Sequence, residues 1–438
     1  MIPLLGKPSS MNIPRLSYPR IVIIGGGFAG LSLAKKLAGK EAQVVMLDKH
    51  NYHTFQPLLY QVSTGGLEPD SIAYPLRKVL KNYPNILFRL AHVEEIDVQA
   101  KKIFTDIGSL KYDYLVIATG SETNFFGNQA LETHAMAMKS IPQSLNLRSL
   151  MLENFEDALL TSDLNERNKL MNFVIVGAGP TGVELAGALA EIKKGILPKD
   201  YPDLDTRMVQ INLIQSGDRV LKEMSEKASE KAEEFLEDLG VNVWKNLRVT
   251  GYDGQLVTTN TDVSFEAATL VWAAGVKGAS IKGLDSEDFV NRGNRILVDA
   301  YNQVKGVENI FAVGDVACMV SEEFPQGLPM MAQPAIQQGK QLGENITRLL
   351  ERKSLKPFVY KDKGAMATIG RNKAVVDLKH WKFQGVFAWF VWMLVHLYAL
   401  IGFRNRVVVF VNWVYNYIRF DREARLIIRP FKKRKYRD

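Results

Sequence analysis

Cysteine is almost absent: Cys318 is the single one in 438 residues. A lone thiol cannot close an internal disulfide or serve as a dithiol redox pair, so chemistry that cycles a cysteine couple is excluded and a reducing compartment is compatible. The ordinary role of such a residue is a small buried side chain. Histidine is scarce too, and the six present show no paired ligand spacing. No metal site is expected. The first twenty residues hold several prolines and no long apolar run, so no signal peptide is expected there. The composition, 47% hydrophobic and 23% charged, excludes a disordered chain. The length suits two or three domains with a core large enough to enclose cofactors. The formal charge of +8 matters less than its distribution. Arg429, Lys432, Lys433, Arg434, Lys435 and Arg437 crowd the end of the chain. No aromatic platform or recognition motif accompanies this basic tail, 429–438, and nucleic acid is not expected as a partner.

Residues 1–18 read as a loose lead-in. Arg20–Gly30 is an apolar strand running into a glycine turn, with Leu31–Ala38 continuing as a helix. Val44–Asp48 is the next strand, and Tyr114–Gly120 is a short apolar run ending in glycine. The pattern restarts near residue 172: strand Phe173–Val176, glycine turn, helix through Ala190, strand Gln210–Gln215. Gly195–Asp205, rich in Pro and Asp, reads as a loop. Strand-like runs recur at Thr269–Ala273 and Asn309–Val313, and Ala335–Leu350 is helix-like. Two strand–glycine–helix units about 150 residues apart imply two dinucleotide-binding folds. The second lies inside the first, because Ile310–Asp315 looks like a returning piece of the first.

The first turn is Gly25-Gly26-Gly27-Phe28-Ala29-Gly30. Gly25 permits the tight turn, Gly27 lets backbone approach a pyrophosphate, and Gly30 lets helix pack on strand. The helix N-terminus then faces negative charge. Asp48, 18 residues beyond Gly30, stands where an acid holds ribose hydroxyls. The second turn is Gly177-Ala178-Gly179-Pro180-Thr181-Gly182, with Gln215 where that acid usually sits. A carboxylate would repel a 2′-phosphate and a neutral amide would not, so NADPH is possible beside NADH. Gly275, past the Thr269–Ala273 run, joins the cofactor-binding candidates. One resident and one visiting dinucleotide are implied. FAD with NAD(P)H is the common physical solution, since flavin accepts hydride and delivers single electrons.

Beyond His380 the composition shifts, with Trp381, Trp389, Trp392 and Trp413 falling there. Between Phe387 and Phe403 the notable polar side chains are His396 and Tyr398, and a second apolar stretch, Val407–Ile418, carries Asn412 and Asn416. Three readings compete: a buried core or dimer helix, a transmembrane hairpin, and amphipathic helices lying in a membrane interface with tryptophan at headgroup level. His396 reads as a packed or interfacial side chain rather than a catalyst.

The residues Ile21–Gly30, Asn51-Tyr52-His53-Thr54-Phe55-Gln56-Pro57-Leu58-Leu59-Tyr60, Ala118-Thr119-Gly120, Gly177–Glu184, Ala312-Val313-Gly314-Asp315 and Ala332-Gln333-Pro334-Ala335-Ile336-Gln337 together resemble those of the type II NADH dehydrogenases, single-subunit, membrane-associated NADH:quinone oxidoreductases. The likeness spans roughly 19–430. It implies that the first fold binds FAD and the inserted one NADH. Asp315, beside Gly314, would hydrogen-bond the ribityl chain of FAD, and Thr119 and Gly120 would close over it. Glu184 would sit near the nicotinamide, and Gln333 near the flavin and the quinone headgroup; these two are the catalytic candidates. The helix beginning near Gln333 would turn its positive end toward charge developing on reduced flavin. The amide cannot relay a proton, so water or Glu184 would supply protons. Blander roles stand beside these: a favourable acid near a helix start for Glu184, a helix start for Gln333, a cap for Asp315. Sulfide:quinone oxidoreductases and disulfide reductases of like architecture need more cysteines than Cys318 supplies. The resemblance favours interfacial helices, because a quinone enters from the bilayer, with Phe383 and the apolar face after it lining the entry.

The resulting expectation is an α/β protein of two Rossmann-like dinucleotide-binding domains with C-terminal amphipathic membrane-binding helices. Its boundaries are 1–18 lead-in, 19–125 and 291–379 FAD-binding domain, 126–290 inserted NAD(P)H-binding domain, and 380–438 membrane-binding region with the basic tail. The expected activity is electron transfer from NADH through FAD to a membrane quinone, menaquinone or ubiquinone, without proton pumping. A homodimer on the cytoplasmic face of the cell membrane is expected. A flavin reductase serving a soluble acceptor and a membrane-bound NADH sensor acting through partners are the alternatives.

Overall fold

The protein is described from a computed structural model covering residues 10–419, 421–422 and 424–428. The basic tail from Arg429 and the first nine residues of the lead-in lie outside the described residues. By packing, the chain forms two compact units. One comprises the described residues up to His53, with Tyr74–Glu122 and Val276–Asp362; the other comprises Thr54–Ala73, Thr123–Gly275 and the described residues from Lys363. These limits differ from the sequence boundaries in three main places. Val276–Val290, expected in the inserted fold, lies in the first unit, where the Ile96 amide donates to the Lys282 carbonyl at 2.9 Å. Thr54–Ala73 leaves the first fold because its helix Leu59–Ser63 packs on the helices Ile141–Leu160 and Pro180–Gly195. The chain from Lys363 joins the second unit because its first strand, Ala365–Thr368, lies against Pro180–Gly195.

The first unit is built on a five-stranded parallel sheet. Its spatial order is Ile310–Ala312, Tyr114–Ile117, Arg20–Ile24, Gln43–Asp48, Ile86–Leu90. Strands buried on both faces require continuous apolar sequence, and Ile21–Ile24 and Val44–Leu47 supply it. The returning strand Ile310–Ala312 pairs with Tyr114–Ile117, as the embedded arrangement requires. Helices Phe28–Leu37 and Ala332–Leu350 pack so closely that a Cβ at Gly339 would strike the Ala29 carbonyl. A three-stranded antiparallel sheet, Val93–Asp97, Lys102–Thr105 and Gly108–Lys111, contributes Ile103 and Leu110 to the core. The lead-in is not loose throughout. Met11 and Ile13 are buried in this core, and the Met11 amide donates to Ser109 at 2.9 Å.

The second unit repeats the parallel sheet, in the order Met136–Ala137, Thr269–Trp272, Asn172–Val176, Gln210–Ile214, Asn242–Trp244. Antiparallel sheets follow at Val249–Tyr252, Leu256–Thr259, Ser264–Glu266 and at Ala365–Thr368, Ala374–Asp377, Lys382–Gln384. The 20-residue helix Ile141–Leu160 was not anticipated. Its start is written locally: the Ser140 hydroxyl accepts from the Gln143 amide and Gln143 Oε1 reaches back to Lys139, with Pro142 in the first turn. The stretch 195–205, expected as loop, holds the one-turn helix Leu197–Asp200. The apolar run from Phe387 breaks earlier than its length suggested. Helix Val386–Ala399 has 14 residues, Gly402 takes a φ of 89°, and helix Phe403–Arg419 of 17 residues begins anew. At about 1.5 Å per residue neither reaches the ~30 Å of a bilayer core. Among the described residues no helix is long and apolar enough to cross a membrane.

Candidate functional site

The first turn sits at the C-terminal edge of the sheet in unit one. Gly25 has φ 106°, and a Cβ there would strike the Ala118 carbonyl of the neighbouring strand end. A Cβ at Gly27, by contrast, would meet nothing within 4 Å. That is the open space a pyrophosphate needs over a helix N-terminus. Asp48 is held ready beside it: Oδ2 accepts from the Gly26 amide at 2.6 Å and Oδ1 from the His50 amide at 2.7 Å. Thr119 Oγ1 donates to Ala279 O at 2.6 Å, and Ser121 Oγ donates to Asp315 Oδ2 at 2.5 Å. Arg295 fixes the Asp315 loop through the carbonyls of Asp315 and Ala317, and Gly314 N donates to Gln338 Oε1 at 2.9 Å. Gly25, Gly27, Gly30, Asp48, Thr119, Gly120, Gly314 and Asp315 are therefore all in unit one, and the residues present fit a dinucleotide such as FAD. Gln333 lies in the same unit, second residue of helix Ala332–Leu350 and half-buried.

Unit two repeats the design. Gly177 has φ 102°, a Cβ on it would collide with the Ala273 backbone, and Gly179 faces open space. Gln215 Oε1 accepts from the Ala178 amide at 3.1 Å, the same bond that Asp48 makes with Gly26. The neutral amide thus occupies the position of the acid. Past strand Thr269–Trp272, the Gly275 carbonyl accepts from Asn124 at 3.1 Å. The cradle formed with Gly182 fits a second dinucleotide.

Glu184 lines a cavity of unit two. Helix Pro180–Gly195 carries it, and Gly187 brings that helix against the Ile369 backbone. The carboxyl is buried, 7% exposed, and burial pushes its pKa up to about 8. The Thr368 amide, at 3.5 Å, opposes this shift. The Trp392 indole N–H also lies close enough to favour the anion, though outside regular hydrogen-bond geometry. Tyr60 from the Phe-Gln-Pro-Leu-Leu-Tyr segment shares the cavity, as do Trp389, Trp413 and Tyr417. Trp413 Nε1 donates to Gln61 Oε1, and Gln61 Nε2 donates to Tyr60 Oη, each at 2.8 Å. Arg422 pairs with Glu191 at 2.8 Å and Arg371 stacks over Tyr417 at 3.9 Å. Phe383, expected at an entry, packs on Phe387 and the small cluster around Val376, because its strand lies on Ala374–Asp377. Sequence reading missed Tyr60, Trp392 and Trp413 as neighbours of Glu184, since they converge only through tertiary packing. Cys318 is buried and accepts from Asn291 Nδ2 at 3.2 Å.

Both C-terminal helices expose apolar side chains, and helix Phe403–Arg419 is fastened by polar ones. Asn405, Asn412 and Asn416 share a helix face and bond Ala73 O, Glu68 Oε2 and Gly66 O at 2.9, 2.8 and 3.1 Å. Phe387, Phe390, Leu394, Tyr398, Phe410, Val411 and Ile418 are exposed. His396 stacks on Trp392 at 4.1 Å between ring centroids, and burial lowers its pKa to about 4.

Two dinucleotide cradles in one chain, without a cysteine pair, define a flavin-dependent pyridine-nucleotide oxidoreductase that needs no disulfide. The family model for pyridine nucleotide-disulphide oxidoreductases matches residues 19–339, and that for the NDH2 C-terminal domain matches 363–422. Two type II NADH:quinone oxidoreductases of Mycobacterium tuberculosis are 35% and 36% identical over 93% and 91% of this chain and 88% of each relative. A solved NDH2 of Plasmodium falciparum in complex with NADH is 22% identical, with a TM-score of 0.86 over 94% of this chain and 100% of that one. The chain belongs to the type II NADH:quinone oxidoreductase family.

Proposed function

We infer that this protein oxidises NADH and reduces a membrane quinone at a membrane surface, without proton pumping. The observation that carries the reading is the coexistence of two dinucleotide cradles with a buried carboxyl in a tryptophan-walled cavity, on a chain whose last helices expose apolar faces. When bound, FAD supplies a carrier that accepts hydride from NADH and passes two electrons on. The chain's own residues bind, orient and hold protons. Gly27 and Gly179 admit the pyrophosphates, and Asp48 and Gln215 stand at the ribose positions. Positioning of this kind accounts for a large share of rate in hydride transfer. A quinone takes up two protons with its two electrons, and Glu184 retains its proton up to about pH 8. It is the candidate proton holder, and Gln333 is the candidate hydrogen-bond donor. Nothing in a soluble flavin reductase calls for the exposed faces around Phe387 and Phe410.

The finer assignments belong to the same proposal. The helices 386–399 and 403–419 lie in the interface, the acceptor is menaquinone or ubiquinone, and the protein is a homodimer on the cytoplasmic face. Gln215 supports use of NADPH as well as NADH. Steady-state assays with NADH, NADPH, a short-chain quinone and ferricyanide test the reading. Rapid quinone reduction with NADH supports it. NADH oxidation by ferricyanide alone, with every quinone inert, would point to the soluble-acceptor alternative, and a tight, slowly oxidised NADH complex to the sensor.

A further inference from the structure

Helix Val386–Ala399 turns two side chains inward, Ala388 and Trp392, one helical turn apart. Trp392 is 2% exposed. Its ring is clamped on one side by His396, stacked at 4.1 Å and 25°, and on another by Trp413 at 5.8 Å. His396 is itself fixed, its Nδ1 2.8 Å from the Trp392 carbonyl oxygen. The clamp sets the direction of the indole edge, yet the buried Nε1 makes no hydrogen bond of regular geometry, the Glu184 carboxyl lying close but out of line. Trp413, a few ångströms away, has satisfied its own N–H on Gln61. A buried donor without a well-aligned acceptor is costly, so an acceptor entering the cavity beside Glu184 would complete it.

The cavity supplies the identity of that acceptor. Glu184 and Trp392 line it together, between the ring walls of Trp389 and Trp413. We propose that Trp392 Nε1 donates a hydrogen bond to a ring carbonyl oxygen of the quinone headgroup, and so holds that oxygen against the Glu184 carboxyl. This rests on the reading of the cavity as the quinone site given above. A planar ring with a carbonyl edge satisfies the indole N–H and fills the aromatic walls at once, and the donor selects which oxygen meets the acid. The other ionisable groups at the cavity are Tyr60, Tyr417, Glu191, Arg371, Asp421 and Arg422, with His396 behind the indole held neutral by burial. Glu191 is already occupied by Arg422 and the Arg371 amide.

The test replaces Trp392 with 3-benzothienylalanine, which keeps the ring shape and puts sulfur where N–H was, alongside Trp392→Phe. Both holoenzymes are assayed with NADH and either a short-chain quinone or ferricyanide, across pH. We expect the quinone KM to rise about tenfold, the value of one net hydrogen bond, with flavin content and the ferricyanide rate unchanged. The pH at which quinone reduction declines should move upward, because the Glu184 anion loses a nearby donor. A quinone KM and pH profile unchanged in the benzothienyl enzyme would overturn the assignment, even if Trp392→Phe misfolds. Wild-type enzyme that reduces no quinone would instead defeat the underlying reading of the cavity.

Discussion

Replacing Glu184 by Gln should remove a strong pH dependence from the stability of the fold. Burial raises this carboxyl from the ordinary 4.5 to about 8. Below pH 4.5 the group is protonated in folded and unfolded chains alike, and its full contribution to stability is present. As pH rises through 4.5 the unfolded chain releases the proton while the folded one keeps it, so stability is lost progressively until the folded group ionises near 8. Each pH unit within that window costs up to about 1.4 kcal/mol, which makes the wild type about 3 kcal/mol less stable relative to the Gln variant at pH 7 than at pH 4. Above pH 8 the gap levels off near ~5 kcal/mol. The unfolding entropy of a chain this long, roughly 0.9 kcal/mol/K if it melts as one unit, converts the pH 7 figure to a Tm gap of about 3 °C. Thermal melts of the two holoenzymes at several pH values between 4 and 9 check this. Parallel Tm curves for wild type and Glu184→Gln would refute the reasoning, since they would mean the carboxyl ionises inside the fold as it does in water.

The two open glycine positions should separate the cofactors. Gly27 has φ −70° and ψ −165°, which other residues adopt, so Gly27→Val should fold by circular dichroism yet lose most of its flavin. Gly179→Val should keep its flavin and raise the NADH KM about tenfold or more. Gln215→Glu should raise the NADPH KM at least about tenfold relative to that for NADH, through repulsion of a 2′-phosphate; an unchanged ratio would disconnect Gln215 from the choice. Leu394→Glu combined with Ile418→Glu removes two exposed apolar side chains worth about 1.5 kcal/mol or more each against a membrane, so vesicle binding should fall more than about tenfold while ferricyanide reduction persists. Undiminished sedimentation with vesicles would show that these faces do not meet lipid.

The dinucleotide folds were legible in the sequence because their signals are local. In the first, a buried parallel strand, a glycine that must take positive φ and an acid on the next strand lie within thirty residues of one another, and the second repeats the order over a longer span with Gln215 in the place of the acid. Asn412 and Asn416 also stood out inside an apolar stretch, and in the fold they fasten the helix while its other side stays exposed. The cavity was not legible. Glu184, Tyr60, Trp392 and Trp413 come from four separate segments, and each alone has an ordinary packing role. Its chemistry arises from burial and from one indole N–H without a well-aligned acceptor, neither of which leaves a periodic trace. The same limit explains why Thr54–Ala73 was assigned to the first fold: its packing on the helix Ile141–Leu160 depends on an element that was itself overlooked.

The purified protein, kept anaerobic, can be titrated with NADH while its flavin absorbance is followed, then mixed with a quinone. We expect a yellow protein that bleaches with one equivalent of NADH and recovers its colour on adding one equivalent of quinone. A chain that carries no flavin and takes none up, or a bleached flavin that quinone fails to reoxidise, would contradict the assignment.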